Sequence, residues 1–270
     1  MIRDITLGQY YPANSVLHRL DPRVKLVGTL IFLITLFLGN NIIMYAIATL
    51  FLAIVIKISK VPFKFMVKGL KAIVLLLMIS VVFNLFLTPG DILVKIGILK
   101  ITKQGLKIAI FMAVRLAYLI VGSSIMTLTT TPNDLTDGME KGLSPLKYIK
   151  VPVHEISMMM SIALRFIPIL IEETDKIMKA QIARGADFET GGMVKKIKAM
   201  VPLLVPLFIS AFRRANDLAM AMEARCYTGG KGRTKMKPLK YAKEDHIAYL
   251  IIFAFLVGVI LLRKYIPYPV

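Results

Sequence analysis

The chain has 270 residues, of which 57% are hydrophobic, and it carries a formal net charge of +19 at pH 7 with a mean hydropathy of +0.70. This composition excludes an ordinary soluble domain and is typical of a polytopic membrane protein. Because the basic excess lies beside apolar runs, we expect it to face the headgroups of a lipid bilayer, and we expect no nucleic-acid partner.

Five membrane-spanning or nearly spanning helices are predicted along the chain. The first uncharged run, residues 26–56, is longer than the roughly 20 residues that cross a bilayer once. Gly39-Asn40-Asn41 interrupts this run, so the pattern predicts helices at about 26–38 and 42–56, the first of them short for a full crossing. The remaining apolar runs are 72–87, 108–131 and 247–262.

Basic residues beside these runs indicate the orientation, since Lys and Arg in short loops stay in the cytoplasm. The N-terminal 25 residues are net basic, and the segment 57–71 has five lysines and no acidic residue, so both are expected inside the cell. Just before the first span, Asp21 is expected to cap the helix and Pro22 to occupy its first position, with Arg23 and Lys25 at the cytoplasmic headgroups. Alternation then places 132–245 in the cytoplasm. The loop 88–107 is also basic yet must lie outside; we keep the scheme because the first helices usually dominate topology.

Three segments follow from this reading. Residues 1–131 hold an N-terminal cytoplasmic segment and the first four spans, 132–245 form a cytoplasmic module, and 246–270 hold the last span and the C-terminus. The predicted fold class is all-α: a polytopic integral membrane protein with about five transmembrane helices and a cytoplasmic module of crossed amphipathic helices.

Two amphipathic helical stretches are predicted inside 132–245. The first covers about 153–186, with Pro168 as a kink or a division point and Gly185 as a stop. The second starts after Pro202 or Pro206, either of which suits the first turn of a helix, and reaches about Tyr227. Small residues four apart on this second stretch predict close crossing by another helix, and they are Ala211, Ala215 and Ala219.

Each amphipathic stretch closes on a short arginine tripeptide. The first ends in Ala183-Arg184-Gly185 and the second in Ala224-Arg225-Cys226. One such tripeptide alone would be a solvated charge at a helix end, where a cation is favoured. Their repetition, in a polar segment between membrane spans, favours mechanical coupling to another protein.

No catalytic or metal-binding pattern accompanies these tripeptides. The three histidines, His18, His154 and His246, have no ligand neighbours at metal-site spacing, and no nucleotide-binding loop or hydrolase motif occurs. The predicted spans contain no Asp or Glu, so a carboxylate proton relay is not expected. The chain is therefore predicted to be non-catalytic, without a bound cofactor or metal, and to depend on other subunits for energy.

Arg115 lies inside the fourth apolar run, and two interpretations of it stay open. A charge at this depth tends to be functional, which would make Arg115 a contact to a partner subunit inside the membrane. Alternatively, its long side chain reaches the outer headgroups.

Several segments in order along the chain resemble the transmembrane T component, EcfT, of energy-coupling factor (ECF) transporters, which are ABC-type importers. At the N-terminus these are Tyr11-Pro12, Ser15 and the run from His18 to Lys25. Further segments are 181–185, 205–208 and 214–225, so the resemblance covers essentially the whole chain.

This resemblance implies a function in vitamin or micronutrient uptake. The two arginine tripeptides would end coupling helices that dock on two cytoplasmic ABC ATPase subunits, the same or different, and these partners would use ATP. A small membrane-embedded substrate-binding S component would receive the movement, in the plasma membrane of a prokaryotic cell. Cys226 departs from the family, which usually has Gly there, and this puts a left-handed turn in doubt.

Other functions remain open at this point. The chain could be the T-type component of a dedicated cobalt or nickel importer. It could also be a polytopic membrane enzyme acting on lipid or isoprenoid substrates, for which Asp134 and Asp137 are the nearest approach to an acidic motif. A solitary channel is disfavoured because the spans offer no line of polar residues for a pore.

Overall fold

A computed structural model describes residues 10–39, 41–96, 99–186, 188, 192–230, 236 and 238–265. The chain divides into two compact units. We call the unit of Gly8–Met139 and Leu239–Val270 the terminal unit, and the unit of Met1–Leu7 and Glu140–Pro238 the middle unit, after the position in the chain of their larger segments. Nearly all regular structure in the described residues is helical, which confirms the predicted all-α class.

The terminal unit contains most of the helices. Its elements are α1 (Val16–Arg19), α2 (Pro22–Leu38), α3 (Ile42–Ser59), α4 (Phe63–Leu87), β1 (Ile92–Ile96), β2 (Leu99–Thr102), α5 (Lys103–Thr129) and α9 (Lys243–Tyr265). Helix α6 (Pro132–Gly142) continues from this unit into the middle unit. The middle unit holds a short 3-10 helix (Ser144–Ile149), α7 (Val153–Ala183) and α8 (Met193–Ala224).

Helices α2 and α3 are the two helices that the sequence predicts on either side of the interruption at residues 39–41. Helix α2 ends at Leu38 and α3 begins at Ile42, so the polar turn lies where the uncharged run is interrupted. The Asn41 side chain caps α3 by accepting a hydrogen bond from the Ile43 N–H at 3.3 Å. With 17 residues, α2 rises about 26 Å, which is less than the hydrocarbon thickness of about 30 Å.

The core of the terminal unit lies where α2, α3 and α5 meet. Its buried side chains are Phe32, Leu36, Ala48, Leu52, Val61, Met66, Val121, Ile125 and Leu128. Gly122 lets α5 approach α2 closely, because a Cβ there would lie 2.7 Å from the Phe32 ring. Helix α9 joins the other side of this core by stacking Phe255 on Phe51, with 4.4 Å between ring centroids.

An antiparallel hairpin of β1 and β2 connects α4 to α5 in the loop that was expected to lie outside the cell. Ile92 pairs with Thr102, and the register shifts between Ile92 and Val94. Thr102 then caps α5, because its hydroxyl accepts from the Gly105 N–H at 3.0 Å and donates to the Thr88 carbonyl at 2.9 Å. The sequence interpretation used only the charge of this loop and missed the hairpin.

Four helices among the described residues are long and apolar enough to cross a membrane: α3, α5, α7 and α9. The most apolar windows of α3, α5 and α9 have mean hydropathies of 2.0 to 2.4, against 1.4 for α7. Length and composition alone do not distinguish a membrane-spanning helix from an amphipathic helix such as α7. The cytoplasmic location of 132–245 therefore stays a prediction.

Helix α8 begins earlier than predicted. It starts at Met193, so Pro202 and Pro206 are inside the helix, and the expectation that one of them opens it is wrong. Pro168 likewise lies within a continuous α7 and does not divide it. An interior proline is tolerated where other groups satisfy the carbonyl that loses its helical donor.

Replacing Gly122 by Ala should lower the stability of the terminal unit by about 1–3 kcal/mol, because the new methyl group would overlap the Phe32 ring. Gly258→Ala in α9 is the matched control, since nothing lies within 4 Å of its added methyl group. Thermal unfolding in detergent, followed by circular dichroism, measures both variants. Equal melting temperatures for the two would contradict the close approach of α5 to α2.

Candidate functional site

The first arginine tripeptide forms the C-terminal cap of α7. Ala183 is the last helical residue, Arg184 is the cap, and Gly185 takes the left-handed conformation with φ of +87°. Two backbone hydrogen bonds close the end: Ala186 N–H to the Gln181 carbonyl at 3.0 Å and Gly185 N–H to the Ile182 carbonyl at 2.9 Å. This pair of bonds is the Schellman motif, so Gly185 ends the helix as predicted.

The second tripeptide has the same geometry at the end of α8. Ala224 is the last helical residue, Arg225 is the cap, and Cys226 is left-handed with φ of +54°. The two closing bonds recur: Tyr227 N–H to the Met222 carbonyl at 3.0 Å and Cys226 N–H to the Glu223 carbonyl at 2.9 Å. The left-handed turn that the missing glycine put in doubt is therefore present, at a cost of about 1 kcal/mol for a residue with a Cβ.

Arg184 and Arg225 thus occupy equivalent positions at two helix ends. Both side chains are exposed, and neither forms a hydrogen bond or ion pair with the described residues. A guanidinium at a helix C-terminus is favoured by the partial negative charge of the last carbonyl groups. Its five N–H donors remain available for a carboxylate or carbonyl on another molecule.

An ion pair joins the two helices that carry these arginines. The Arg214 Nη2 of α8 lies 2.6 Å from the Glu173 Oε2 of α7. Arg184 stands eleven residues beyond Glu173, and Arg225 stands eleven residues beyond Arg214. At 1.5 Å per residue, each arginine lies about 16 Å along its own helix from the ion pair.

A proline supplies the second contact between α7 and α8. Pro206 has no N–H, so the carbonyl of Pro202 lacks its usual helical donor. The Gln181 side-chain amide of α7 donates to that carbonyl at 3.3 Å. The interior prolines of α8 therefore create an acceptor that α7 uses.

The third contact joins the beginning of α7 to the segment that follows α8, and it involves His154, which is also held by Glu140. The His154 Nδ1 is 3.0 Å from the Glu140 Oε1, and the Ser157 hydroxyl donates to the Glu140 Oε2 at 3.1 Å. Gly230, which follows α8, packs so closely on the His154 ring that a Cβ there would overlap it. The start of α7 is thus next to the segment that leaves α8, and its end is next to Pro202.

These three contacts show that α7 and α8 pack antiparallel within the middle unit. Residues later in α7 contact residues earlier in the α8 segment: His154 contacts Gly230, Glu173 pairs with Arg214, and Gln181 bonds to Pro202. Arg184 and Arg225 therefore lie at opposite ends of the helix pair. The small-residue stripe does not form this contact, since Ala215 and Ala219 are exposed and Ala211 is only half-buried.

Arg115 is held inside the terminal unit. Its Nε donates to the Tyr45 hydroxyl at 2.9 Å, and its guanidinium carbon lies 5.5 Å from the centre of the Phe37 ring, within the range of a cation–π contact. Phe37 and Tyr45 flank the α2–α3 turn, which the predicted topology places outside. A contact from Arg115 to a partner subunit remains a prediction.

A buried polar cluster joins the N-terminal segment to the start of α9. As predicted, Asp21 caps α2 and Pro22 occupies its first position. The Asp245 carboxylate, 2% exposed, accepts from the Asp21 N–H at 2.8 Å and from the Ala242 N–H at 2.7 Å. One carboxylate therefore satisfies backbone donors at the starts of two helices, α2 and α9. The sequence interpretation missed Asp245.

Arg23 and Lys25 were expected at the cytoplasmic headgroups, and the structure places them in contacts within the terminal unit. Arg23 pairs with Asp21 at 2.8 Å and lies 3.8 Å above the Tyr241 ring. The Lys25 Nζ donates to the Thr129 carbonyl at 2.8 Å. Burial alone would raise the pKa of the Asp21 carboxyl, but hydrogen bonds from Arg23 outweigh it and hold that pKa below its usual value.

His18 completes the N-terminal cluster. Its Nε2 lies 2.9 Å from the Tyr11 carbonyl, which can only accept, so Nε2 carries the proton and Nδ1 accepts from the Ser15 hydroxyl at 2.7 Å. Burial lowers the pKa of His18, which favours this neutral form. His18 therefore orders the segment before α2. Among the described residues, no group of three His, Cys, Asp or Glu side chains could hold a metal ion.

Fold and site together define a class: an all-α polytopic membrane protein with two exposed arginines at the ends of one helix pair. A family model described as cobalt transport protein, CbiQ, matches residues 13–236. The chain is 56% identical to a Clostridium kluyveri protein over 252 residues, covering 93% of each chain. It is 53% identical to a Ruminiclostridium cellulolyticum protein (97% and 98% covered) and 49% identical to a Bacillus subtilis protein (95% and 98% covered).

All three relatives carry the name energy-coupling factor transporter transmembrane protein EcfT. The chain belongs to the EcfT family, and it is a transmembrane T component of an ECF transporter. The resemblance inferred from the N-terminal and arginine-containing segments is thereby confirmed.

The left-handed turns give a stability prediction. Cys226→Gly should raise the melting temperature by about 2 °C, because glycine adopts this conformation without the Cβ penalty. Gly185→Ala should lower it by a similar amount, since its surroundings are open and only the backbone opposes the change. Gly142→Ala, also in open surroundings but without positive φ, is the control for the added methyl group. Thermal unfolding measures the three melting temperatures. Equal shifts in all three variants would contradict the left-handed conformation at Gly185 and Cys226.

Asp245→Asn should destabilise the protein by about 2 kcal/mol or more, because the amide N–H₂ replaces one acceptor oxygen that faces a buried backbone donor. Glu244→Gln, on the exposed neighbouring residue, should change stability little. Thermal unfolding in detergent again provides the measurement. A loss equal to that of Glu244→Gln would show that Asp245 does not tie α2 to α9.

Proposed function

We propose that this chain transmits ATP-driven movement of two ATPase subunits to a membrane-embedded substrate-binding subunit. The observation that carries the proposal is the equivalent placement of Arg184 and Arg225, exposed at opposite ends of one antiparallel helix pair. Two identical or similar partners need two equivalent contacts, and the two helix ends offer them.

The chemistry of these ends suits docking into a groove. A planar guanidinium forms bidentate hydrogen bonds to a carboxylate, or contacts carbonyl groups, with more geometric specificity than an ammonium group. Ala183, Gly185 and Ala224 are small, so they leave room for a groove wall to come close to each arginine. Cys226 adds one thiol at the second end and keeps the turn.

The packing of α7 against α8 explains how movement at one end can reach the other. Sliding or rotating either helix would break the Glu173 to Arg214 ion pair and the Gln181 to Pro202 hydrogen bond together. Displacement of one arginine-bearing end therefore moves the pair as a unit. Close-packed helices respond by moving between discrete packed arrangements, which makes them suitable transmitters.

In this function the chain binds no cofactor of its own, and ATP is bound and hydrolysed by the ATPase partners. The substrate-binding S component would select a vitamin or another micronutrient, in the plasma membrane of a prokaryotic cell. Resemblance to ECF transporters supports these details. The names of the relatives support the transporter complex in general terms.

A second candidate function is a T-type component of a dedicated cobalt or nickel importer. The description of the matching family model, cobalt transport protein, favours it. Gentle purification of the tagged chain from its own cells separates the two candidates. A co-purifying subunit that binds a vitamin supports the first, and one that binds Co²⁺ or Ni²⁺ supports the second.

Arg184→Glu and Arg225→Glu should each lower ATP-driven uptake about tenfold or more, because an anion would replace a cation in a groove that accepts hydrogen bonds. Lys179→Glu, an equal charge change at an exposed position of α7, is the matched control and should leave uptake near its original level. Co-purification of the ATPases distinguishes lost docking from lost transmission. Normal uptake in both arginine variants would overturn the coupling assignment.

A further inference from the structure

The terminal unit contains a cleft of about 290 Å³, which is lined by residues of α1, α2, α3, α5 and α9. Its inner wall includes Val24 and Phe32 of α2 and Ile125 of α5, and all three side chains are buried. We call it the α3–α9 cleft, after the two helices that border its open side. Among the described residues, every side chain that lines it is apolar except those of Lys25, Thr29, Thr129 and Glu244.

The α3–α9 cleft opens sideways, toward the surroundings of the helices. Ile54 and Ile58 of α3 and Ile247 and Ile251 of α9 line it and are nevertheless between 41% and 59% exposed. Both helices are apolar enough to cross a membrane, with windows of mean hydropathy 2.3 and 2.4. Because the flanks of such helices meet hydrocarbon, the open side of the cleft faces acyl chains.

The length of the cleft corresponds to one leaflet of a bilayer. At one end, Lys25 and Glu244 lie near the starts of α2 and α9. Toward the other end, the lining residues of α9 stop at Ile252, just before Phe255, whose ring stacks on that of Phe51. Glu244 and Phe255 are eleven residues apart, a rise of about 16 Å, and half of a hydrocarbon core of about 30 Å is similar.

The volume of the cleft suits one hydrocarbon chain. An engineered protein cavity of about 150 Å³ holds a benzene molecule, so 290 Å³ holds about a dozen carbon atoms. An α-helix with its side chains is about 10 Å wide and is too large for this space. A narrow, apolar space that opens to lipid and spans one leaflet therefore fits an acyl chain.

Two opposite charges line the polar end of the cleft. The Lys25 Nζ donates to the Thr129 carbonyl at 2.8 Å and to the His18 carbonyl at 3.2 Å. An ammonium group has three N–H donors, so one remains for a third acceptor. Glu244, in the exposed first turn of α9, supplies a carboxylate at the same end. This pair matches a zwitterionic headgroup such as that of phosphatidylethanolamine, which carries a phosphate and an ammonium group.

We propose that the α3–α9 cleft binds one acyl chain of a zwitterionic phospholipid, with the phosphate at Lys25 and the headgroup ammonium at Glu244. The predicted topology makes this a lipid of the cytoplasmic leaflet. The chain fills the space between α3 and α9 up to the stacked rings of Phe51 and Phe255, so the lipid becomes a structural part of the terminal unit. The inference goes beyond the coupling function, since it requires no other subunit.

A side chain that fills the cleft tests the proposal. Ala248 lines the cleft and is half-buried, so Ala248→Phe places a ring where the acyl chain lies. Ala254→Phe is the matched control, because it makes the same change in α9 at an exposed position outside the cleft. The full chain, with its co-purifying subunits, is placed in nanodiscs of equal parts phosphatidylethanolamine and phosphatidylglycerol. Native mass spectrometry in mild detergent then counts and identifies the retained lipids, and thermal unfolding checks that both variants are folded.

The unaltered chain and Ala254→Phe should each retain one phospholipid that Ala248→Phe loses. Its occupancy in Ala248→Phe should fall about tenfold or more, because the apolar contacts along the chain are removed. Equal retention in the two phenylalanine variants would overturn the proposal. Loss of a co-purifying subunit, instead of a lipid, from Ala248→Phe would also overturn it, in favour of a protein contact at the cleft.

The headgroup is tested separately by Glu244→Gln, an exposed change that does not fill the cleft. The unaltered chain should retain phosphatidylethanolamine in preference to phosphatidylglycerol, and Glu244→Gln should reduce this preference because the headgroup ammonium loses its anion. A preference that is unchanged in Glu244→Gln, or one for phosphatidylglycerol in the unaltered chain, would overturn the assignment of Lys25 and Glu244 to a zwitterionic headgroup.

Discussion

The antiparallel packing of α7 against α8 determines where both arginine-bearing ends lie. The Glu173 to Arg214 pair is partly exposed, and such a pair alone contributes little to stability. Its importance is geometric, because the Gln181 to Pro202 bond and the contact of Gly230 with His154 fix the same register at other points. Three separate contacts along the helices leave neither helix free to slide without losing all of them.

Helix-breaking residues contribute to this arrangement. In a water-exposed helix, an interior proline costs about 3 kcal/mol, partly through the carbonyl that loses its donor. In α8 that carbonyl belongs to Pro202, and Gln181 of the neighbouring helix restores a hydrogen bond to it. The proline thus converts an intrahelical bond into an interhelical one. The same sequence feature that suggested the start of a helix instead connects α8 to α7.

The sequence predicted the turns, caps and helix ends whose hydrogen bonds join residues only a few positions apart. The polar turn at Asn41, the Asp21 cap and the helix stop at Gly185 follow from side-chain geometry within a few residues. Asp245 could not be predicted in this way, because its partner Asp21 is far away in sequence. The turn at Cys226 shows another limit, since the closing hydrogen bonds of a helix can hold a residue other than glycine in the left-handed region.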